Sequence, residues 1–372
     1  MIDSISRVLA WRDSESPSQL YGWYIDALGA TLGQVLRNLS SRGYPIATSL
    51  SNELLLLPHE SLLRLIVAPE TYHRITADVD NQPDAVIDFL SVSLEAEQCR
   101  LDDHLRASRP VWSALGDAYF PKGTERRSPE SALLQRPNRA FFAPSLQNIV
   151  PADFHSPHAK APFEPGLGRP AKFTETELVS VTSRLESALE AIGLISPASL
   201  SLIALFTKQI VLRKDSAHPD RFRAFSRSDF MGRVTILNPQ LERWDKLTLA
   251  DQLLHEAMHS FLFAIEFKEG PFVKDMEEAW AVKTSSPWTG FELDLHAYIH
   301  ASFVWFGLFQ FWTLAKKIKG FHKEQVRELA NAAAKGFRKE KLTNFPAARD
   351  VMRPEVVKLI DDMQRTVRTT QR

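Results

Sequence analysis

From Ile299 to Ala315 the chain is apolar around its whole helical circumference, relieved only by His300, Ser302, Gln310 and Thr313. Such a helix must be buried in protein or in lipid. At 17 residues with four polar members it falls short of the roughly 20 apolar residues that cross a bilayer, so it reads as a buried helix. The remaining chain must therefore supply a wrapping layer, and 372 residues at 44% hydrophobic content suffice for one large or two modest domains.

Charge and cysteine content narrow the function classes. With 45 Lys+Arg against 45 Asp+Glu the formal net charge is zero, which removes the usual electrostatic reason to expect a nucleic acid or an anionic membrane as partner. Cys99 is the single cysteine, so no intramolecular disulfide, cysteine zinc finger or iron–sulfur cluster can be built. Any metal must use histidine and carboxylate. Near the N-terminus Asp3, Arg7, Arg12 and Asp13 break up the apolar stretch that an export signal would need, and a cytoplasmic location is expected.

The expected fold is mainly α with a small β-sheet, an α+β protein. Residues 1–135 read as mostly helical: Leu54 to Leu57 is cut by Pro58, after which a helix can restart over Glu60 to Val67. Pro83 to Ala107 has helical apolar spacing, with Glu95, Glu97, Arg100 and Asp103 as a solvated face. Residues 136–172 form a Pro-rich linker or covering segment whose His155 and His158 read as solvated loop histidines rather than a metal pair. In residues 173–372, the expected catalytic region, Thr174 and Glu177 form a capping box for a helix closed by Gly193. Gln209 to Arg213 and Arg233 to Leu237 read as strands.

A second strongly apolar helix begins at Thr248 and carries His255, Glu256 and His259, an H-E-x-x-H pattern. The i, i+4 spacing puts both imidazoles on one face a turn apart, where they can share one metal ion, with Glu256 beside them. Two ligands do not complete a site. One candidate for the third is Glu278, 18 residues beyond His259 as in the gluzincin metallopeptidases, with Glu256 then acting as general base on a zinc-bound water. The other is His300 in the apolar helix, since an unpaired buried imidazole is costly, with His296 one turn earlier as its partner or as the ligand itself. Asp294 is a further carboxylate in reach of the same segment.

The order Phe225-Ser226-Arg227-Ser228, Gly232-Arg233-Val234, Leu253 to His259, Ser286-Pro287-Trp288, His300-Ala301 and Phe311-Trp312 resembles a known group. These are the H-E-x-x-H proteins found beside ribosomally made, post-translationally modified peptides, including the 2-oxoglutarate-dependent peptide β-hydroxylases described as αKG-HExxH domains. The resemblance covers about residues 173 to 320. It departs at Thr289 and Leu293, where many members carry arginine.

The resemblance implies an Fe(II)- and 2-oxoglutarate-dependent oxygenase that hydroxylates a precursor-peptide residue at its β-carbon. His255, His259 and His300 would be the metal ligands, and Glu256 would orient a ligand or water by hydrogen bonding. The distal carboxylate of 2-oxoglutarate is best met by a bidentate arginine, for which Arg233 is the candidate, with Lys283 as another. A zinc peptidase using His255, His259 and Glu278, and an inactive peptide-binding scaffold, are the competing expectations.

Overall fold

The computed structural model describes residues 2–102, 104–123, 133, 135, 136, 138–161 and 168–370. Asp103 lies outside them, and so do residues 137 and 162–167 of the Pro-rich stretch. The chain is mostly helical with small sheets. It divides into two compact units, each assembled from separated stretches: one from residues 1–21, 188–205 and 247–372, the other from 22–187 and 206–246.

In the second of these units a sheet is built on the strands Gln209–Asp215 and Arg233–Leu237, which pair in parallel, Val211 opposite Thr235 and Arg213 opposite Leu237. Arg223–Phe225 adds to the outer edge antiparallel, with Arg223 opposite Leu237. On the other side of Gln209–Asp215 lies Val150–Asp153, parallel to it, with Ser145–Leu146 antiparallel beyond. That strand comes from the Pro-rich stretch, which is thus part of the sheet where a linker or cover was expected. Pro151 is tolerated there because its neighbour Ala152 supplies the pairing N–H, donating to the Pro144 carbonyl at 2.9 Å, and the ladder to Gln209–Asp215 begins only at Ala152.

The histidines of this stretch are not solvated. His155 Nε2 meets the Leu133 carbonyl at 2.7 Å, and the largely buried His158 stands with Nδ1 3.4 Å from Glu70.

The helix Pro83–Leu101 stops short of Ala107. Its Glu97 is buried rather than solvated, placed between Arg64 and Arg100, which both reach Asp117. Burial opposes ionisation of Asp117, but the two guanidinium groups and the Ser113 hydroxyl overcome it and hold its carboxyl at about 2. Near the start of the chain, Pro58 separates the helices Ile46–Leu56 and His59–Ile66.

The first unit is helical around two long elements, Lys246–Glu269 and Leu295–Ala315. Leu295–Ala315 is buried on nearly all sides, with Phe303, Phe309, Phe311 and Trp312 among the fully buried side chains. Among the described residues no helix is long and apolar enough to cross a membrane. The two elements touch at Gly307, where an added Cβ would stand 2.3 Å from the Met258 sulfur. Gly193 also serves close packing: it does not end its helix, which runs Glu175–Ile195, and a Cβ there would press on Leu200 at 3.0 Å. The capping box of Thr174 and Glu177 forms at the start of that helix, the Thr174 N–H donating to Glu177 at 2.7 Å and the Glu177 N–H to Thr174 Oγ1 at 3.3 Å.

A buried polar contact also links the two long helices. Trp312 donates its indole N–H to Asp251 Oδ1 at 2.6 Å, and Gln252 donates to Oδ2. Burial pushes the Asp251 carboxyl up to about 6 despite these donors. Its folded pKa is raised above 3.8, so the folded state is favoured below pH 4 and loses on the order of 3 kcal/mol as pH rises through 6. Asp251→Asn, which keeps the Trp312 acceptor without the charge, is therefore expected to raise the unfolding midpoint at pH 7.5. The gain should shrink toward zero as the pH is lowered to 4, read by thermal unfolding across the pH series.

Candidate metal centre

Three side chains of the helix Lys246–Glu269 share one face. At 100° per residue Glu266 falls about 20° from both His255 and His259 and about two turns beyond the latter. The helix Leu295–Ala315 brings His296 and His300, again four residues apart, against that face. Asp294 caps this helix by accepting the Ala297 N–H at 2.8 Å, which orients its first turn and commits the carboxylate to the backbone.

The five side chains form a continuous series. His255 and His259 meet through their Nε2 atoms at 3.2 Å. On the far side of its ring, His259 Nδ1 stands 3.5 Å from His300 Nδ1, with the two rings within 9° of parallel. His300 Nε2 is 2.9 Å from Glu266 Oε2, and His296 Nε2 is 2.9 and 3.0 Å from the two Glu266 oxygens. The Phe272 backbone N–H donates to Glu266 Oε1 at 2.9 Å. His300 is 2% exposed, and the rings of Phe263 and Phe272 pack on it.

Without an ion, these contacts assign where the protons sit; an ion held by Glu266, His296 and His300 would take the place of the two Nε2 protons. Burial would raise Glu266, but His300 and His296 beside it hold its carboxyl far below the ordinary carboxylate range, so it is an acceptor. His296 and His300 must then present Nε2–H to it. His300 Nδ1 is left as a lone pair, His259 donates from Nδ1, and His259 Nε2 is a lone pair aimed at His255. A metal-ligating histidine is commonly oriented this way, through its second ring nitrogen. The Nδ1 of His255 is buried with no hydrogen-bond partner among the described residues, a costly state for a polar atom.

Burial pushes His255 down to about 4. Burial and the neighbouring His255 push His259 down to about 3, against the opposing charge of Glu256. His300 is lowered too, by burial, against the pull of Glu266. All three imidazoles are neutral at pH 7, the form that binds metal.

Two overlapping donor sets result. The Nε2 atoms of His255 and His259 have the spacing of two nitrogens bound to one ion, since ligands at about 2.1 Å stand about 3.0–3.4 Å apart. Glu266, His296 and His300 bring one carboxylate and two imidazole nitrogens within 4.8 Å of one another. His300 faces the back of the His259 ring, so His255, His259 and His300 do not aim at a single point.

Glu256 is buried beside the pair. Glu278 is exposed on the short helix Met276–Ala281, its N–H capped by Asp275, and takes no part in the series. Arg233 belongs to the other unit, where its guanidinium donates to Glu70 at 3.0 Å and to Gln209 at 3.0 Å. Glu266 was missed in the sequence reading, although its position 7 and 11 residues beyond the two histidines was a usable signal.

No protein-family model matches the chain, and no curated protein matches it.

The depressed imidazoles give a pH prediction. An exposed histidine pair of ordinary pKa loses more than about tenfold in metal affinity between pH 7.5 and 6, because protons compete. Co(II) binding at the His255 and His259 pair, followed by its visible absorption, should change by less than about threefold over that range, and should fall steeply only below pH 5.

Proposed function

We propose that the chain is a non-heme Fe(II)- and 2-oxoglutarate-dependent oxygenase that hydroxylates a residue of a ribosomally made precursor peptide at its β-carbon. The observation that carries this reading is the donor set Glu266, His296 and His300, two imidazoles and one carboxylate, the composition that suits a non-heme Fe(II) site with open positions. The donors fit the metal in type: two imidazoles, an ionised carboxylate, and no thiolate, Cys99 being buried in an apolar cluster of the other unit. Bound Fe(II) would let O2 react with 2-oxoglutarate as co-substrate, one oxygen atom going to the carbon of an unactivated C–H bond and the other to succinate, with CO2 released. The peptide substrate class rests on the order of motifs around Leu253 to His259, Ser286-Pro287-Trp288 and His300-Ala301.

In this reading Glu266, His296 and His300 hold the ion, and His259 buttresses His300 from behind through the Nδ1 contact. His255 and His259 offer the adjacent donor pair, and the buried Glu256 lies beside them. Phe263, Phe272 and Trp305 pack against the imidazoles and exclude water from the site. The zinc peptidase reading loses support because its third ligand, Glu278, faces solvent.

Iron-loaded protein incubated with 2-oxoglutarate, O2 and peptides encoded near its gene should give a product heavier by one oxygen atom, with one succinate per hydroxylation, read by mass spectrometry. Glu266→Ala and His300→Ala should each lower turnover more than about 100-fold while far-UV circular dichroism is retained. Peptide cleavage by zinc-loaded protein, with no succinate formed, would overturn the assignment in favour of a peptidase. Comparing metal stoichiometry in His255→Ala and His296→Ala separates the two donor sets: the proposal requires that His296→Ala loses the iron.

A further inference from the structure

Within the unit built from residues 22–187 and 206–246 lies a cavity of about 1010 Å³. One wall is a face of the sheet. Thr235 is paired with Val211 on one side and with Phe225 on the other, so these three side chains form a row across that face. At about 4.8 Å between strands, the row spans about 9.6 Å. The helix Pro83–Leu101 supplies another wall through Phe89 and Ser93, one turn apart on the same side. Trp112 and Phe230 line the cavity as well.

The charged groups at the cavity are met within the protein or by water. Glu70 takes Arg233 at 3.0 Å and Arg74 at 3.2 Å, and Arg227 pairs with Asp229 at 2.6 Å. Arg213 donates to the Ala161 carbonyl, and both it and Arg221 have further partners in the protein. Arg223 is exposed to solvent. His158 is neutral, since burial and Arg233 push it down to about 4. Neutral polar groups are what remains uncommitted. The Thr235 hydroxyl, on a residue 6% exposed, and the Ser93 hydroxyl, on one 1% exposed, make no hydrogen bond among the described residues. A buried hydroxyl in that state is costly. The indole N–H of the half-buried Trp112 likewise has no acceptor among them. The fully or nearly buried Trp11, Trp244, Trp288 and Trp312 all donate theirs, to Gly307, Leu237, Ala333 and Asp251.

The walls are also flat. Guanidinium groups lie over ring faces, Arg74 at 5.9 Å from the Phe89 centre, Arg223 at 5.5 Å from that of Phe225 and Arg233 at 4.4 Å from that of Phe230. Tyr119 and Phe141 hold the Trp112 ring, at 5.0 and 6.1 Å between centres. Rings and guanidinium planes both gain most from contact with another flat π system. An apolar, aromatic cavity with a few placed donors is the usual make-up of a small-molecule site.

We propose that this cavity binds a neutral, planar heteroaromatic molecule of two or three fused rings, whose ring carbonyl or ring nitrogen acceptors meet the Trp112 N–H and the Thr235 and Ser93 hydroxyls. The row from Val211 through Thr235 to Phe225 has the length of such a plate. The inference is independent of the histidine series and of any activity assigned to it.

Isothermal titration of the full chain with riboflavin and inosine, neutral plates of three and two fused rings, tests it. At least one should bind with a Kd at or below about 1 mM. Thr235→Val, which keeps the side-chain shape and removes the hydroxyl, should weaken that binding about fivefold, and Trp112→Phe at least as much. Trp280→Phe, at an exposed indole of the other unit, should leave it unchanged. Circular dichroism confirms that each variant folds. If neither compound binds, or if Thr235→Val and Trp112→Phe both bind as the parent does, the proposal is wrong. It is equally wrong if riboflavin 5′-phosphate binds while riboflavin itself does not, because the cavity would then recognise charge rather than the ring.

Discussion

The carboxylate of Glu266 joins two buried helices by accepting from His296, from His300 and from the Phe272 backbone. An ionised group with so little exposure is tolerable only because its oxygens are supplied with donors. Its demand for N–H groups sets the tautomer of His300, and through His300 that of His259. The imidazole order of the whole series follows from one charge.

That dependence explains why part of the centre was legible in the chain and part was not. His255 and His259 announce themselves because i, i+4 spacing within one helix is a local property. Their approach to His300 needs the second helix, and only an apolar helix that must be buried hinted at it. Glu266 carried a weaker signal: it shares the face of the two histidines, yet carboxylates near helix ends are common on solvated surfaces. Glu278 had the attractive spacing and sits in solvent, because separation along the chain says little once Asp275 starts a new short helix.

The sheet was read in outline, since Gln209 to Arg213 and Arg233 to Leu237 are dense in β-branched residues. The strand Val150–Asp153 was hidden by the surrounding prolines, and its pairing is a contact with residues about 60 positions later that composition cannot announce. Glu97 and His158 were misjudged for a related reason. Each is buried against charged partners from elsewhere in the chain, Arg64 for one and Glu70 for the other. A charged residue type suggests exposure until its counterion is known.

The contact of Gly307 with Met258 bears on how the centre can vary. Helices that meet at a glycine have their axial register fixed by backbone against side chain, with no long residue to absorb a slip. Inserting one residue between His259 and Glu266 would swing the carboxylate about 100° around the axis, off the imidazoles altogether. Length changes should therefore be confined to the stretch between the two helices, such as the hairpin of Lys283–Ser285 and Glu292–Asp294, while the intervals inside each helix stay constant.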